Sequence, residues 1–264
     1  MPSTREIAIV TGASGGIGSA ICRRLAADGY AIVGQYRSDA AAAQSLKASL
    51  EQRGADCDLV RADLAEPQGV ESVVAHVRRL IERDPHARIR VLVNNAGILL
   101  GPSLQDATHD TFDRYVAVNL RAPFFLVQGL ADLMDRGAGV VNISSASAHI
   151  ASAGDLVYAM TKSGLESLTK NMALALAPRG IRVNAVVPGF TDNGHPAFSD
   201  EAARAYMGGL SALGGVASPE DVAAAVAFLV SDASARTTGS LLDVTGGMTL
   251  NPRPHGGASV KDVL

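Results

Sequence analysis

Short apolar runs rich in β-branched residues alternate down this chain with longer stretches whose apolar positions recur at helical spacing. Ile7 to Val10 is the first such run. It leads through Thr11 into a glycine-rich segment, after which Ala20, Ile21, Leu25 and Ala26 recur at helical spacing. Further strand-like runs are Ala31–Tyr36, Asp58–Asp63, Ile89–Asn94, Gly139–Ile143, Ile181–Val187 and Ser240–Val244. Strands that are apolar almost throughout need cover on both faces, and the helices between them supply it. The pattern predicts a single-domain α/β fold over residues 1–251: a doubly wound parallel sheet of seven strands with helices on both faces.

Helix punctuation agrees with this. Pro67 suits a first helical position, and Ser218-Pro219-Glu220-Asp221 combines a capping serine, a proline and an acid three residues on. Thr111–Met134 and residues 155–177 read as long helices that are apolar on more than one face, so each needs a second burial partner. Residues 190–215 read as a mobile lid over the site, with Phe190, Phe198, Tyr206, Met207, Leu210 and Leu213 as its apolar surface. Gly208-Gly209 and Gly214-Gly215 are its candidate hinges. Residues 252–264 contain proline and glycine and read as a C-terminal tail.

Composition narrows the partners. A net charge of −3 leaves no electrostatic footprint for nucleic acid or an anionic membrane. Cys22 and Cys57 fit neither a disulfide framework nor a metal-binding spacing, and the six histidines are scattered, so no metal is expected. The first residues are polar and show no signal peptide, and a cytoplasmic location is expected.

Two local patterns carry chemistry. Thr11-Gly12-Ala13-Ser14-Gly15-Gly16-Ile17-Gly18 stands between a strand and a helix, where glycines let the backbone approach a pyrophosphate at the helix N-terminus. The second strand ends in Arg37-Ser38 with no carboxylate, which suits a 2′-phosphate and favours NADP over NAD. Tyr158 and Lys162, four residues apart on one helix, place an ammonium beside a phenol, and a cation there should draw the phenol toward neutral pH. Ligands of such sheets bind at the carboxyl ends of the strands, where Asn94-Asn95-Ala96-Gly97, Ser144-Ser145 and Pro188-Gly189 fall.

Together these residues resemble the short-chain dehydrogenase/reductase family, and within it members similar to 3-oxoacyl-ACP reductases. The matching pieces are Thr11 to Gly18, Asp63-Leu64, Asn94 to Gly97, Asn119, Ser145, Tyr158 with Lys162, and Pro188-Gly189, in family order over about residues 5–250. The resemblance implies a Rossmann-type fold and hydride transfer between a nicotinamide and a carbonyl or secondary alcohol. It implies that Gly12, Ser14, Gly15, Gly16, Ile17 and Gly18 hold phosphates, Asp63 and Leu64 the adenine, and Asn95, Ala96 and Gly97 the cofactor cleft. Asn119, Ser145, Tyr158 and Lys162 would form a catalytic tetrad, with Tyr158 as acid and base. The resemblance also assigns Pro188, Gly189 and Thr191 to the cofactor site. The family's usual threonine five residues after the proline is Asn193 here, so either Thr191 or Asn193 makes that contact. The basic residue that many NADP-preferring relatives carry in the glycine loop is replaced by Gly15.

The resemblance also implies a dimer, usually within a tetramer, through helices 111–134 and 155–177. Pro123 cannot donate to the Asn119 carbonyl four residues earlier; it either frees that acceptor for the family's proton relay or merely bends the helix. The leading expectation is an NADP-linked reductase of a largely apolar ketone, of the 3-oxoacyl-thioester or a similar biosynthetic type. The alternatives are an NAD-linked dehydrogenase of a sugar or secondary alcohol and, from another class, a catalytically silent cofactor-sensing protein. His149 and His195 read as lid or surface residues.

Overall fold

The computed structural model describes residues 4–250; the expected tail, 252–264, lies outside the described residues. The first apolar run forms β1 (Arg5–Thr11), and the glycine turn leads into α1 (Gly16–Ala27). β2 (Ala31–Tyr36), α2 (Ala40–Glu51), β3 (Cys57–Arg61) and α3 (Pro67–Arg83) follow. Then come β4 (Ala87–Asn94), α4 (His109–Val116), α5 (Ala122–Leu130), β5 (Met134–Ile143), α6 (Leu156–Leu176) and β6 (Arg182–Pro188). The described chain closes with α7 (Glu201–Gly209), α8 (Pro219–Val230) and β7 (Leu241–Val244). The seven strands pair in parallel in one sheet of order β3-β2-β1-β4-β5-β6-β7, the doubly wound arrangement that the apolar runs predict.

Successive strand residues point to opposite faces, and here both faces are dry. Ile7 and Ile9 of β1 share a core with Val73 and Val77 of α3 and Leu126 and Leu130 of α5. Ala8 and Val10 share the other core with Ile21 and Leu25 of α1 and Val226 and Leu229 of α8. Burying each large aliphatic side chain contributes about 1.5–3 kcal/mol, so neither face of β1 tolerates a polar residue cheaply.

β1 lies between β2 and β4. The chain therefore winds outward from β1 to β3, returns to the other side of β1, and winds away through β4 to β7. At that reversal the loops leaving β1 and β4 diverge, and a crevice opens at their carboxyl ends. Those two loops are the glycine turn and Asn95-Ala96-Gly97.

One predicted helix does not hold. Instead of running from Thr111 to Met134, α4 starts at His109, where Thr108 Oγ1 accepts the Thr111 amide at 3.1 Å. It passes into a π-helical turn, Ala117–Arg121, in which the Ala122 amide reaches back five residues to the Ala117 carbonyl. α5 ends at Leu130, and Met134, buried and paired with Ile89, opens β5. Leu130, Leu133 and Met134 continue the helical spacing, and no glycine or proline stands between them, so periodicity overruns the true end. The run His109–Leu133 is apolar enough to cross a membrane by composition, but its Leu126, Val127 and Leu130 lie in the core against the sheet.

α8 has the predicted cap: the Asp221 amide donates to Ser218 Oγ at 3.3 Å, and Asp221 Oδ2 accepts the Ser218 amide at 2.8 Å. Of the two candidate hinges, Gly208-Gly209 lies inside α7, with Gly208 pressed against Gly215. Gly214 and Gly215 instead adopt φ of +74° and +75°, which glycine alone does at little cost.

Candidate active site

The glycine turn is shaped from two sides. Buried Gln35 of β2 accepts the Gly12 amide on Oε1 at 2.9 Å and donates Nε2 to the Ala62 carbonyl at 2.7 Å. Asn95 donates its backbone amide to Thr11 Oγ1 at 2.9 Å and its side-chain amide to the Thr11 and Gly12 carbonyls at 2.9 and 3.3 Å. A Cβ on Gly18 would lie 2.1 Å from the Gly12 oxygen, so the turn closes only around glycine. Gly15 caps α1 without a side-chain acceptor, and the first turn carries no acid. The amides from Gly16 and Ile17 onward, with Ser14 beside them, thus suit an anion, and the turn fits a pyrophosphate.

Arg37 and Ser38 are exposed at the end of β2. The Arg37 carbonyl accepts Nε of Arg61 at 3.2 Å, so a second guanidinium stands at the end of β3. No motif marks Arg61; strand pairing alone brings it to Arg37. Asp63 pairs with Arg114 at 3.0 Å and accepts the Ala65 amide at 3.0 Å. Burial pushes its carboxyl up, but the bonds to Ala65 and Arg114 and the charges of Arg114 and Arg37 together hold it below the usual carboxylate range. The Leu64 side chain is buried in the core, which leaves its backbone for ligand contact.

The expected tetrad converges. Asn119 lies buried in the π-helical turn: Oδ1 accepts the Ile98 amide at 2.9 Å, and Nδ2 donates to the Ile98 carbonyl and Thr161 Oγ1, both at 3.1 Å. Pro123 follows that turn at the start of α5, and such turns concentrate at functional sites. Lys162 Nζ is buried, donates to the Ile143 carbonyl at 2.7 Å, and stands 5.6 Å from the centre of the Tyr158 ring. A Cβ on Gly97 would come within 3.4 Å of Asn119 Oδ1 and 3.5 Å of Lys162 Nζ, so the loop after β4 reaches the same place. Ser145 Oγ accepts the Ser147 amide at 3.2 Å, and its hydroxyl stands on the side of Tyr158, where it favours loss of the phenolic proton.

Electrostatics here reverse one expectation. Burial pushes the Tyr158 phenol up to about 12; the Ser145 hydrogen bond lowers it, and the charges of Asp155 and Tyr115 raise it. Lys162 does not draw the phenol down. Burial pulls that ammonium itself to about 8, and it stands over the ring. The helical spacing brings the two residues together as predicted, but desolvation of both groups outweighs their attraction.

Pro188 ends β6, and Gly189 packs so closely on Thr245 that a Cβ there would lie 3.0 Å from its carbonyl oxygen. Thr191 is buried and donates its hydroxyl to the Gly189 carbonyl at 3.2 Å. The Asn193 backbone instead lies over the glycine turn: a Cβ on Gly16 would meet its carbonyl oxygen at 2.5 Å. His195 Nδ1 accepts the Ala197 amide at 3.2 Å. His149 Nε2 meets Glu166 Oε1 at 3.0 Å, and that same oxygen accepts the Ser144 hydroxyl at 2.6 Å. Both histidines thus have partners within the protein, and Glu166, one helical turn beyond Lys162, is a site neighbour that no sequence pattern signals.

A family model described as Enoyl-(Acyl carrier protein) reductase matches residues 12–249. The chain is 36% identical over 248 residues to L-rhamnose 1-dehydrogenase (NAD(P)(+)) of Sphingomonas sp. (strain SKA58), covering 92% of this chain and 96% of that one. Among solved structures, the angucycline C-6 ketoreductase LanV with bound NADP matches with a TM-score of 0.89 at 36% identity, over 94% of this chain and 96% of LanV. LugOII, a promiscuous reductase that catalyses keto-reduction at C1 during lugdunomycin biosynthesis, matches with a TM-score of 0.89 at 39% identity, over 94% and 98%.

The depressed Lys162 value makes stability depend on pH. Below about 8 the amine is protonated in folded and unfolded chains alike; from there to the ordinary 10.5 the unfolded chain binds more proton, so stability rises with pH. Lys162→Met removes that dependence. Chemical denaturation at about pH 7.5 and about pH 10 should show the parent protein gaining on the variant by on the order of 2 kcal/mol. Parallel pH curves for the two proteins would refute a buried ammonium at this position.

Proposed function

The chain belongs to the short-chain dehydrogenase/reductase family, and on that footing we propose that it is an NADP(H)-dependent ketoreductase of a largely apolar small molecule, with Tyr158 as proton donor. Membership makes it an oxidoreductase that interconverts a carbonyl and an alcohol. One observation carries the finer reading. The Tyr158 phenol is buried and held protonated at the carboxyl end of the sheet, with Ser145 acting on it and Lys162 over its ring. A phenol in that state can protonate a carbonyl oxygen as it becomes an alcohol. The Ser145 oxygen already accepts the Ser147 amide, so its proton can turn to the same substrate oxygen as negative charge grows there. Asn119 acts on placement: it bonds Thr161, whose hydroxyl bonds the Tyr158 carbonyl at 2.8 Å.

The cofactor would lie along the crevice. Gly12 to Gly18 and the N-terminus of α1 would hold its pyrophosphate, Arg37, Ser38 and Arg61 its 2′-phosphate, and Asp63 and Leu64 its adenine. Asn95, Ala96, Gly97, Lys162, Pro188 and Gly189, with Thr191 or Asn193, would face its nicotinamide half. Bound there, the reduced nicotinamide supplies the hydride. The two guanidinium-bearing residues at the adjacent ends of β2 and β3, Arg37 and Arg61, support NADP over NAD, and LanV binds NADP. Half-exposed Leu99 and Leu100 after β4, with Phe190 after β6, offer an apolar wall that suits a ketone of the kind LanV and LugOII reduce. The L-rhamnose dehydrogenase relative and the missing basic residue at Gly15 favour the second reading, an NAD-linked sugar or secondary-alcohol dehydrogenase.

The same reading makes the working unit a homodimer or tetramer. Val116, Leu120, Phe124, Phe125, Gly164 and Leu168 line an open groove of about 570 Å³ between the α4–α5 segment and α6. Phe124 and Phe125 meet edge to face at 5.1 Å and remain 40% and 45% exposed, more apolar surface than a lone helix pair needs. Two free cysteines without a disulfide accord with work in the cytoplasm.

Tyr158→Phe should lower kcat by about 10²–10⁴-fold while leaving NADPH affinity within about twofold. Retained turnover would remove the tyrosine from the chemistry. Arg37→Asp should raise KM for NADPH about tenfold and leave that for NADH unchanged or lower; an unaltered preference in steady-state rates would move the balance to the NAD-linked reading. Phe125→Glu should convert the assembled species to a smaller one in size-exclusion chromatography with light scattering, and an unchanged mass would place the interface elsewhere.

A further inference from the structure

Asp155 stands at the N-cap of α6, where an aspartate ordinarily accepts an amide of its own helix. Here it makes no such bond. Its Oδ1 instead accepts the Gly101 amide, 54 residues away in sequence, at 3.0 Å. The turn it grips is strained. Leu100 has φ +55°, the only non-glycine residue with positive φ among those described, a conformation that costs about 1–2 kcal/mol. Tyr115 holds the same turn from the other side, donating its hydroxyl to the Leu100 carbonyl at 2.6 Å and lying 3.0 Å from that of Leu99. The turn in turn presses on the acid. A Cβ on Gly101 would lie 3.0 Å from the Tyr158 amide nitrogen, and Ile98 packs with Tyr115, Val157 and Tyr158.

We propose that Asp155 is a positioning residue for the reaction: by holding the Gly101 amide it fixes the strained Leu99–Gly101 turn as one wall of the substrate cleft, and it keeps a negative charge one helical turn before Tyr158. This rests on the reading of Tyr158 as proton donor. The diverted cap and the strain point the same way, since a helix gives up its own capping bond and a leucine stays left-handed only where neighbouring contacts over-determine them. Ser145, Asp155 and Tyr115 act on the Tyr158 phenol, and Lys162 stands over its ring. Of these, Asp155 and Tyr115 oppose loss of the phenolic proton and Ser145 favours it. In reduction the protonated phenol is the working form, so kcat/KM falls as pH rises through its value, and loss of the Asp155 charge should move that limb to lower pH.

Two substitutions separate anchor from charge. Asp155→Asn keeps an oxygen for the Gly101 amide and loses the charge; Asp155→Ala loses both. Amide hydrogen exchange should find Gly101 protected in the parent protein and in Asp155→Asn, and open in Asp155→Ala. The basic limb of kcat/KM should move down by about half a pH unit or more in both variants. KM for an apolar ketone should rise about tenfold in Asp155→Ala alone, with KM for NADPH within about twofold. A Gly101 amide equally protected in Asp155→Ala overturns the anchor, and an unmoved limb in Asp155→Asn overturns the charge. The exchange measurement needs no turnover, so it decides the anchor even if Tyr158→Phe proves active and the reading of the tyrosine falls.

Discussion

The hydrogen bonds that tie Thr11 to Asn95 hold the two halves of the sheet together where they diverge. β1 and β4 are neighbours whose loops leave in different directions, and without a cross-link the crevice between them would have no fixed width. Thr11 Oγ1 accepts two successive amides, those of Asn95 and Ala96, and the Asn95 side chain returns to the Thr11 and Gly12 carbonyls. From that stitch a continuous path runs to Tyr158. The loop carries Gly97 to Lys162, Ile98 is clasped by Asn119 through both its amide and its carbonyl, and Asn119 passes through Thr161 to the Tyr158 backbone. The glycine turn and Tyr158 are thereby held in one rigid frame, as the proposed hydride transfer would require, because reacting atoms must meet within a few tenths of an ångström.

That frame is built at a cost to stability. Lys162 is an ammonium in an apolar setting with one described hydrogen-bond partner, the Ile143 carbonyl, and Tyr158 is a phenol that burial keeps from ionising. Neither arrangement would be selected for folding alone. The two apolar cores on either side of β1 carry the load, since each joins hydrophobic side chains of strands and helices. The polar side chains buried beside them, such as Asn142 and Thr169, are hydrogen-bonded to one another.

The fold was legible in the chain because parallel strands buried on both faces leave an unmistakable mark, a short apolar run ended by a turn. Where that mark is ambiguous the reading slipped: Leu133 and Met134 continue a helical spacing, and nothing local says that Met134 pairs with Ile89. The π-helical turn at Ala117–Arg121 left no trace beyond Pro123. For the site, residues with a chemical reason to stand together in sequence, such as the glycines, or Tyr158 with Lys162, could be found there. Gln35, Arg61, Tyr115, Asp155 and Glu166 could not, because each acts on a partner that only the sheet order or a helix packing brings near. The pKa of Tyr158 escaped for a related reason: spacing reveals proximity, whereas its direction depends on how much water both groups lose.

The same division explains how one frame serves different substrates. The glycine turn, the stitch and the tetrad sit on strand ends and helices inside the cores. The segments that would touch substrate do not. α7 is tied to its approach by an Arg204–Asp192 pair at 2.7 Å with both side chains partly exposed, the kind of contact that contributes at most about 1 kcal/mol. Beyond it Gly214 and Gly215 sit in open left-handed turns, and Leu213 is almost wholly exposed. Such a segment can be rebuilt at little cost to the core, in keeping with the similarity of this chain both to an L-rhamnose dehydrogenase and to the ketoreductases LanV and LugOII. The Leu99–Gly101 turn is the exception among the walls. It is strained, clasped by two side chains and pressed on Tyr158, so under the proposed reading a change there would alter substrate fit and proton transfer together.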